Sequence, residues 1–363
     1  MKRITLLLTA ILVLMAASCT AQNSPLEKGK RLFEEKKYDE AINELNEAIR
    51  LDPNLAEAYA YRSRSFNSKS DYDRGLADAN KAIEINPRLG LGYFARGNVH
   101  RDKNDYDRAI EDYNEAIRLD PKFARAYSNR GYVYYQYKND YDRAIADFTE
   151  AIRLDPKNAS AYGNRGNAYL NKNDYDIAIA DFTEAIRLDP QNAGTYNNRG
   201  NAYYNKGNYD RAIADYTDAI RLDPTLATVY YFRGLAYGNK GDNDRTIADL
   251  EAALRLEPNN SSYRETLAEV KSWAEQRSKT NNNSGDAADT LNTLNALSRI
   301  NKRTPHFVCG GSGYVRCTSC GGSGVSKSFT TDKNGKKNFQ SCGACSGRGR
   351  YRCSGCNGTG LTL

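Results

Sequence analysis

With 363 residues the chain is too long for one compact domain and long enough for two or three. Two histidines, His100 and His306, leave little room for histidine-based catalysis, and 27 tyrosines against 10 Phe and one Trp point to helices packed through amphipathic rings with polar tips at the surface. The formal charge of +7 is unevenly spread: from Ile300 onward there are ten Lys or Arg and one acid, Asp332, so the C-terminal end is basic and the rest is near neutral.

At the N-terminus Lys2 and Arg3 precede an apolar run from Ile4 to Ala17. The run is shorter than the roughly 20 residues of an ordinary membrane-spanning helix and fits the core of a secretory signal over residues 1–18. It ends in Leu14-Met15-Ala16-Ala17-Ser18-Cys19, which resembles a bacterial lipobox, although Ala16 stands where that pattern wants Leu. The resemblance implies that Cys19 is lipidated and becomes the mature N-terminus, with residues 19–24 as a tether to the bacterial cell envelope, facing the periplasm or the exterior. Ordinary cleavage near Ala21 is the alternative and would discard Cys19.

Prolines at 53, 87, 121, 156, 190, 224 and 258 are spaced 34, 34, 35, 34, 34 and 34, most within a phrase like Ala-Ile-Arg-Leu-Asp-Pro. In the copy from Ala161 to Pro190, Tyr162, Gly166 and Tyr169 recur at helical spacing on a first helix, and Tyr175, Ala178, Ile179, Phe182, Ala185 and Ile186 on a second. Asn173-Asp174 makes the turn, and Pro190 ends the unit because proline cannot continue a helix. A 34-residue helix–turn–helix period resembles the tetratricopeptide repeats, and the resemblance covers 25–258 as seven repeats. It implies an α-solenoid, since one repeat cannot bury its apolar stripe alone.

One departure from that family's pattern is regular. Where its first helix carries Leu before Gly, this chain has Lys28, Arg62, Arg96, Arg130, Arg165, Arg199 and Arg233. Sixteen or seventeen residues later stand Glu44, Asp78, Asp112, Asp147, Asp181, Asp215 and Asp249. A semi-buried guanidinium left alone is costly, so each base is expected to pair with its acid. The family resemblance implies a concave face of first helices that binds peptides. Candidate residues on it are Asn129, Asn164 and Asn198 before the Arg-Gly pair and Asn98, Asn167 and Asn201 after it. An asparagine offers donor and acceptor and can read a peptide backbone without demanding a sequence; a merely solvated polar face is the alternative. His100, where other repeats carry Tyr or Phe, reads as a packing residue.

After Pro258, Ser262 and Glu265 form a capping-box pattern. Tyr263, Leu267, Val270 and Ala274 then mark one face of a solenoid-capping helix over 259–279. Residues 280–304 read as a linker, with Leu291, Leu294, Leu297 and Ile300 spaced for a short helix.

The tail holds three Cys-x-x-Cys pairs, Cys317/Cys320, Cys342/Cys345 and Cys353/Cys356, each followed by x-Gly-x-Gly. A fourth copy begins His306-x-x-Cys309, with histidine in the place of a cysteine. Seven thiols cannot all pair as disulfides, whereas seven thiolates and one imidazole make two tetrahedral zinc sites. Seven residues separate motifs one and two, and seven separate three and four. Equal arms predict an antiparallel ribbon with 325–341 at its tip, so that motif one faces four and motif two faces three. The module, over 305–361, resembles the cysteine-rich zinc domain of the DnaJ chaperones, whose sites nest in this way. One zinc would be held by His306, Cys309, Cys353 and Cys356, the other by Cys317, Cys320, Cys342 and Cys345.

The sequence therefore reads as mainly α: a seven-repeat solenoid with a small C-terminal zinc-stapled β-hairpin module. Four protein ligands per ion leave no open position, so each zinc is a staple and the chain is expected not to be an enzyme. The expected function is an envelope-anchored scaffold or chaperone-like adaptor holding other proteins or peptides. Thiol–disulfide exchange through Cys317/Cys320 or Cys342/Cys345 is the alternative, which an oxidising compartment would permit. The basic tail raises nucleic-acid binding, against which secretion argues.

Overall fold

The computed structural model of the protein describes residues 24–280 and four short segments, 314–316, 325–331, 337–341 and 350–352. The signal segment 1–18, Cys19, most of the linker, and His306, Cys309, Cys317, Cys320, Cys342, Cys345, Cys353 and Cys356 lie outside the described residues. The chain divides after Pro156 into two compact units.

In the first unit four helical pairs follow one another: α1 (Pro25–Glu34) with α2 (Tyr38–Leu51), α3 (Ala56–Ser68) with α4 (Tyr72–Ile85), α5 (Gly90–Asp102) with α6 (Tyr106–Leu119), and α7 (Ala124–Val133) with α8 (Tyr141–Leu154). Pro25 sits at the first helical position, where its missing N–H costs nothing, and Ser24 Oγ accepts the Glu27 N–H. Three of the four second helices start on carboxylates: Asp71, Asp105 and Asp140 accept the N–H of Arg74, Arg108 and Arg143. The residue before each of these caps takes a left-handed backbone, with φ of 62° at Ser70, 64° at Asn104 and 52° at Asn139. Asparagine tolerates that conformation better than serine.

The single 35-residue spacing has a structural counterpart. The turn that directly continues α7, Tyr134–Lys138, is π-helical. One extra residue is thereby absorbed without shifting α8 out of phase. The bulge is filled with rings: Tyr135 is buried, and Tyr137 stacks on Tyr106 at 3.9 Å.

The second unit contains α9 (Ala159–Asn171) with α10 (Tyr175–Leu188), α11 (Ala193–Asn205) with α12 (Tyr209–Leu222), α13 (Ala227–Asn239) with α14 (Asn243–Leu256), and then α15 (Ser261–Thr280). Its turns repeat the same device with Asn173, Gly207 and Gly241 at positive φ. Small residues set the helix spacing: a Cβ on Gly200 would lie 2.7 Å from the Tyr216 ring. Tyr263, Leu267 and Val270 of α15 close the core over Tyr231, Leu235 and Leu250, as the apolar spacing predicts. The cap differs from the expected box: Asn260 Oδ1, not Ser262, is the capping acceptor and takes the Tyr263 N–H, because the helix begins at Ser261 and leaves Ser262 inside it.

Within each unit the first helices of successive repeats pack against one another, and contacts between successive second helices are weaker. First helices therefore line the inner side of each unit's curve. In the tail, β1 (Tyr314–Arg316) pairs antiparallel with β4 (Arg350–Arg352), Tyr314 opposite Arg352. Between them in sequence, β2 (Val325–Thr331) pairs antiparallel with β3 (Lys337–Ser341), Val325 opposite Ser341. No helix among the described residues is long and apolar enough to cross a membrane.

Candidate peptide-binding face

Six of the seven expected charge pairs form. Arg62, Arg96, Arg130, Arg165, Arg199 and Arg233 meet Asp78, Asp112, Asp147, Asp181, Asp215 and Asp249 at 2.6–2.8 Å. Nε and a terminal nitrogen grip both carboxylate oxygens in each, as at Arg199 and Asp215. The remaining terminal nitrogen reaches the preceding repeat: Arg62 donates to Asn46, Arg96 to Asn80, Arg130 to Asn114, Arg199 to Thr183 and Arg233 to Thr217. One guanidinium thus ties three helices together. Each plane also lies 5.4–5.8 Å from a tyrosine three residues earlier, from Tyr59 to Tyr230. Burial pushes the Asp147 and Asp215 carboxyls up against the pull of Arg130 and Arg199. Lys28 and Glu44 form no such pair; Lys30 instead bridges Glu27 and Glu57.

The candidate asparagines divide in two. Asn98, Asn167 and Asn201, after the glycine or its equivalent, are buried. Their Oδ1 atoms accept from neighbours: Asn98 from Tyr113 Oη at 2.8 Å and Asn129 Nδ2 at 2.7 Å, Asn167 from Asn198 Nδ2 at 2.9 Å, Asn201 from Tyr216 Oη at 2.8 Å. These contacts also revise the expectation for the tyrosines, because Tyr113 and Tyr216 are wholly buried and their hydroxyls are satisfied inside. Asn129, Asn164 and Asn198 are half-buried. Near them the face is open: a Cβ on Gly163 would meet nothing within 4 Å, and one on Gly194 only Asn192 Oδ1. Asn197 Oδ1, buried beside Asn198, has no partner among the protein's own groups.

Two further patterns were not read from the sequence. Lys69, Lys103 and Lys138 reach back to Asp39, Asp73 and Asp107, and Lys206 and Lys240 to Asp176 and Asp210, each one repeat earlier. Their 30- or 31-residue separation is visible in the sequence once the period is known. The other is Arg64, a buried guanidinium on α3 that is not part of the Arg–Asp series. His100 is a packing residue as expected: burial holds its imidazole below the usual range, with Asp112 3.7 Å from Nε2 opposing.

Comparison with known proteins agrees with this architecture. Family models described as "TPR repeat" match residues 29–62 and 97–136, and models described as "Tetratricopeptide repeat" match 134–193, 164–227 and 197–261. No curated relative matches the sequence. Among solved structures, the APC/C hetero-tetramer Cut9–Hcn1 is similar at 21% identity and a TM-score of 0.56, over 68% of this chain and 48% of that one. The chain thus spans about half the length of that structure. Pseudomonas aeruginosa pilF matches at 22% identity and a TM-score of 0.53, over 59% of this chain and 97% of that one. The C-terminal part of a TPR repeat-containing protein from Cytophaga hutchinsonii matches at 20% identity and 0.51, over 67% and 99%. At these identities the likeness concerns the fold alone. Repeat period, paired helices and family models together place the chain, through its helical array, among the tetratricopeptide-repeat proteins.

Proposed function

We propose that the protein is a non-enzymatic scaffold, tethered to the bacterial envelope through Cys19, that holds extended segments of partner polypeptides along its first helices. Tetratricopeptide arrays are protein-interaction scaffolds, which gives the coarse function; the tether, the face and the tail are the finer reading. The observation that carries the binding face is the inner surface of the second unit. There the half-buried Asn164 and Asn198 stand beside the open positions Gly163 and Gly194. Such a surface offers hydrogen bonds to a peptide backbone without selecting side chains. Asn98 and Asn167 act beneath such a surface by holding Asn129 and Asn198 in place, and Asn201 accepts from Tyr216.

The tail would add a second contact. His306, Cys309, Cys353 and Cys356 would hold one zinc, and Cys317, Cys320, Cys342 and Cys345 the other. The strand registers support that grouping. Arg316, which directly precedes motif two in sequence, is opposite Arg350, and Arg352, which directly precedes motif four, is opposite Tyr314. Bound zinc would supply a structural staple there. Thiol–disulfide exchange remains the rival reading of the same cysteines.

Recovery of partners from native envelopes tests the scaffold. Wild-type protein should retain a reproducible set of polypeptides, and Asn164→Trp/Asn198→Trp, which fills the inner face, should lose it while keeping its helical signal. Equal recovery by both proteins would move binding elsewhere.

A further inference from the structure

The first helices of the second unit are nearly without charge. α9, α11 and α13 contain one charged residue each, Arg165, Arg199 and Arg233. Each is already committed: it grips Asp181, Asp215 or Asp249 at 2.7–2.8 Å, and only 17–18% of its side chain is exposed. The first helices of the first unit differ, since α3 adds Glu57 and Arg64 to Arg62, α5 adds Arg101 and Asp102 to Arg96, and α7 adds Arg125 to Arg130. What the second unit presents is amide. Asn164, Asn167 and Asn171 share one face of α9, and Asn198, Asn201 and Asn205 the matching face of α11. Hydrogen bonds from one first helix to the next run along this face: Asn198 Nδ2 donates to Asn167 Oδ1 at 2.9 Å, and Asn239 Nδ2 to Tyr204 Oη at 2.9 Å. Those amides are held in place, whereas Asn164 has no side-chain partner among the described residues. Packed helices lie roughly 8–10 Å apart, which is about three residues of extended chain at about 3.3 Å each. One amide per repeat therefore falls opposite every third peptide unit of a polypeptide that crosses the helices.

We infer that the inner face of the second unit selects uncharged polypeptide segments rich in small polar residues such as Ser, Thr and Asn, and rejects charged ones. The inference rests on the scaffold reading and names the ligand class of its C-terminal unit. A Lys, Asp or Glu laid on this face gives up water and finds no countercharge, because all three arginines are paired. Selection thus works by penalising the wrong ligand as much as by holding the right one. A hydroxyl or amide side chain gives up less and meets donors and acceptors in the asparagines. The open position at Gly163 lets the ligand backbone come close to α9 beside the uncommitted amide of Asn164.

The test uses the full chain and fluorescent probes. One is a peptide of four Ser-Asn-Thr triplets, acetylated and amidated so that it carries no charge. Two more have the central pair of asparagines replaced by Asp or by Lys, and maltoheptaose serves as an uncharged glycan. The neutral peptide should bind, and either charged peptide roughly ten-fold or more weakly, as for a charge desolvated without a partner. Asn164→Ala should weaken the neutral peptide about two- to ten-fold, the range for one lost hydrogen bond. Gly163→Asp, where a side chain has open space, should reverse part of the selection: it should bind the Lys peptide more tightly than wild type does, and the Asp peptide less tightly. The inference is overturned if the neutral peptide fails to bind, if the charged peptides bind as well as it does, or if maltoheptaose binds in its place. Envelope partners recovered by wild type and lost by Asn164→Trp/Asn198→Trp, with no discrimination against charged peptides, would sink the selectivity and leave the scaffold standing.

Discussion

Arg199→Ala isolates what the repeated ion pairs contribute. In the wild type, Arg199 Nε and Nη2 hold Asp215 at 2.9 and 2.7 Å, and Nη1 reaches Thr183 on α10 at 3.1 Å. The Asp215 side chain is only 6% exposed, so truncation leaves a buried carboxylate with no countercharge. Breaking such a pair costs about 3–5 kcal/mol. Protonation sets a ceiling on the part due to charge: neutralising a carboxyl of ordinary pKa about 3.9 at pH 7 costs about 4 kcal/mol, at about 1.4 kcal/mol per unit. Burial already pushes the Asp215 carboxyl up in the wild type, and without Arg199 it must rise further. A folded value above the unfolded one means that the folded state binds the proton more readily. The penalty is therefore full above the raised folded value and fades as pH falls toward the unfolded value. Native-state hydrogen exchange of α11 and α12, corrected for intrinsic rates, reads local opening without assuming that a repeat array unfolds in one step. The opening free energy should drop by about 3–4 kcal/mol at pH 7 and recover by more than 1 kcal/mol at pH 5. Arg199→Leu/Asp215→Leu should cost less than Arg199→Ala. A loss below about 1 kcal/mol, or one independent of pH, would place the pair with ordinary surface bridges and refute the reasoning.

Further expectations follow from other places in the structure. Because burial holds His100 below its usual range, its contribution is present above an ordinary histidine value of about 6.5 and is lost as pH falls through the lower folded value; His100→Tyr should show a smaller fall in Tm than wild type between pH 7 and pH 5. Gly200→Ala should lower stability by roughly 1–3 kcal/mol because its Cβ meets the Tyr216 ring at 2.7 Å, measured by urea unfolding, whereas Gly163→Ala, with open space, should be within about 0.5 kcal/mol of wild type. Cys19→Ser should release the protein from membranes or leave an unprocessed precursor; unchanged membrane retention with normal processing would argue against lipidation. Metal analysis of the full chain should give two zinc ions, and His306→Ala should lower that toward one; oxidised cysteines without zinc would put thiol exchange first.

The helical array was legible because period and chemistry coincide: proline marks each boundary, and the Arg–Asp separation of sixteen or seventeen residues fits a helix, a turn and a second helix. The one 35-residue spacing was equally visible, but periodicity cannot tell a longer loop from a π-helical turn, and rings such as Tyr137 on Tyr106 accompany the latter. Asparagines on either side of the Arg-Gly pair look alike in sequence, although one row is buried. The distinction depends on what faces it: Tyr113 and Tyr216 offer hydroxyls to Asn98 and Asn201 across the helix pair. Arg64 was passed over because it stands outside the periodic series, and its burial depends on Phe33 and Phe94, brought together only by the packing of the first helices.

The scaffold reading is tested most directly by where a partner touches the repeats. A photo-crosslinking residue placed at Asn164, on the inner face, is compared with one at Arg187, exposed on a second helix, in intact cells. The account predicts covalent adducts to partner polypeptides from position 164 and none above background from position 187. Adducts confined to position 187, or equal from both, would contradict it.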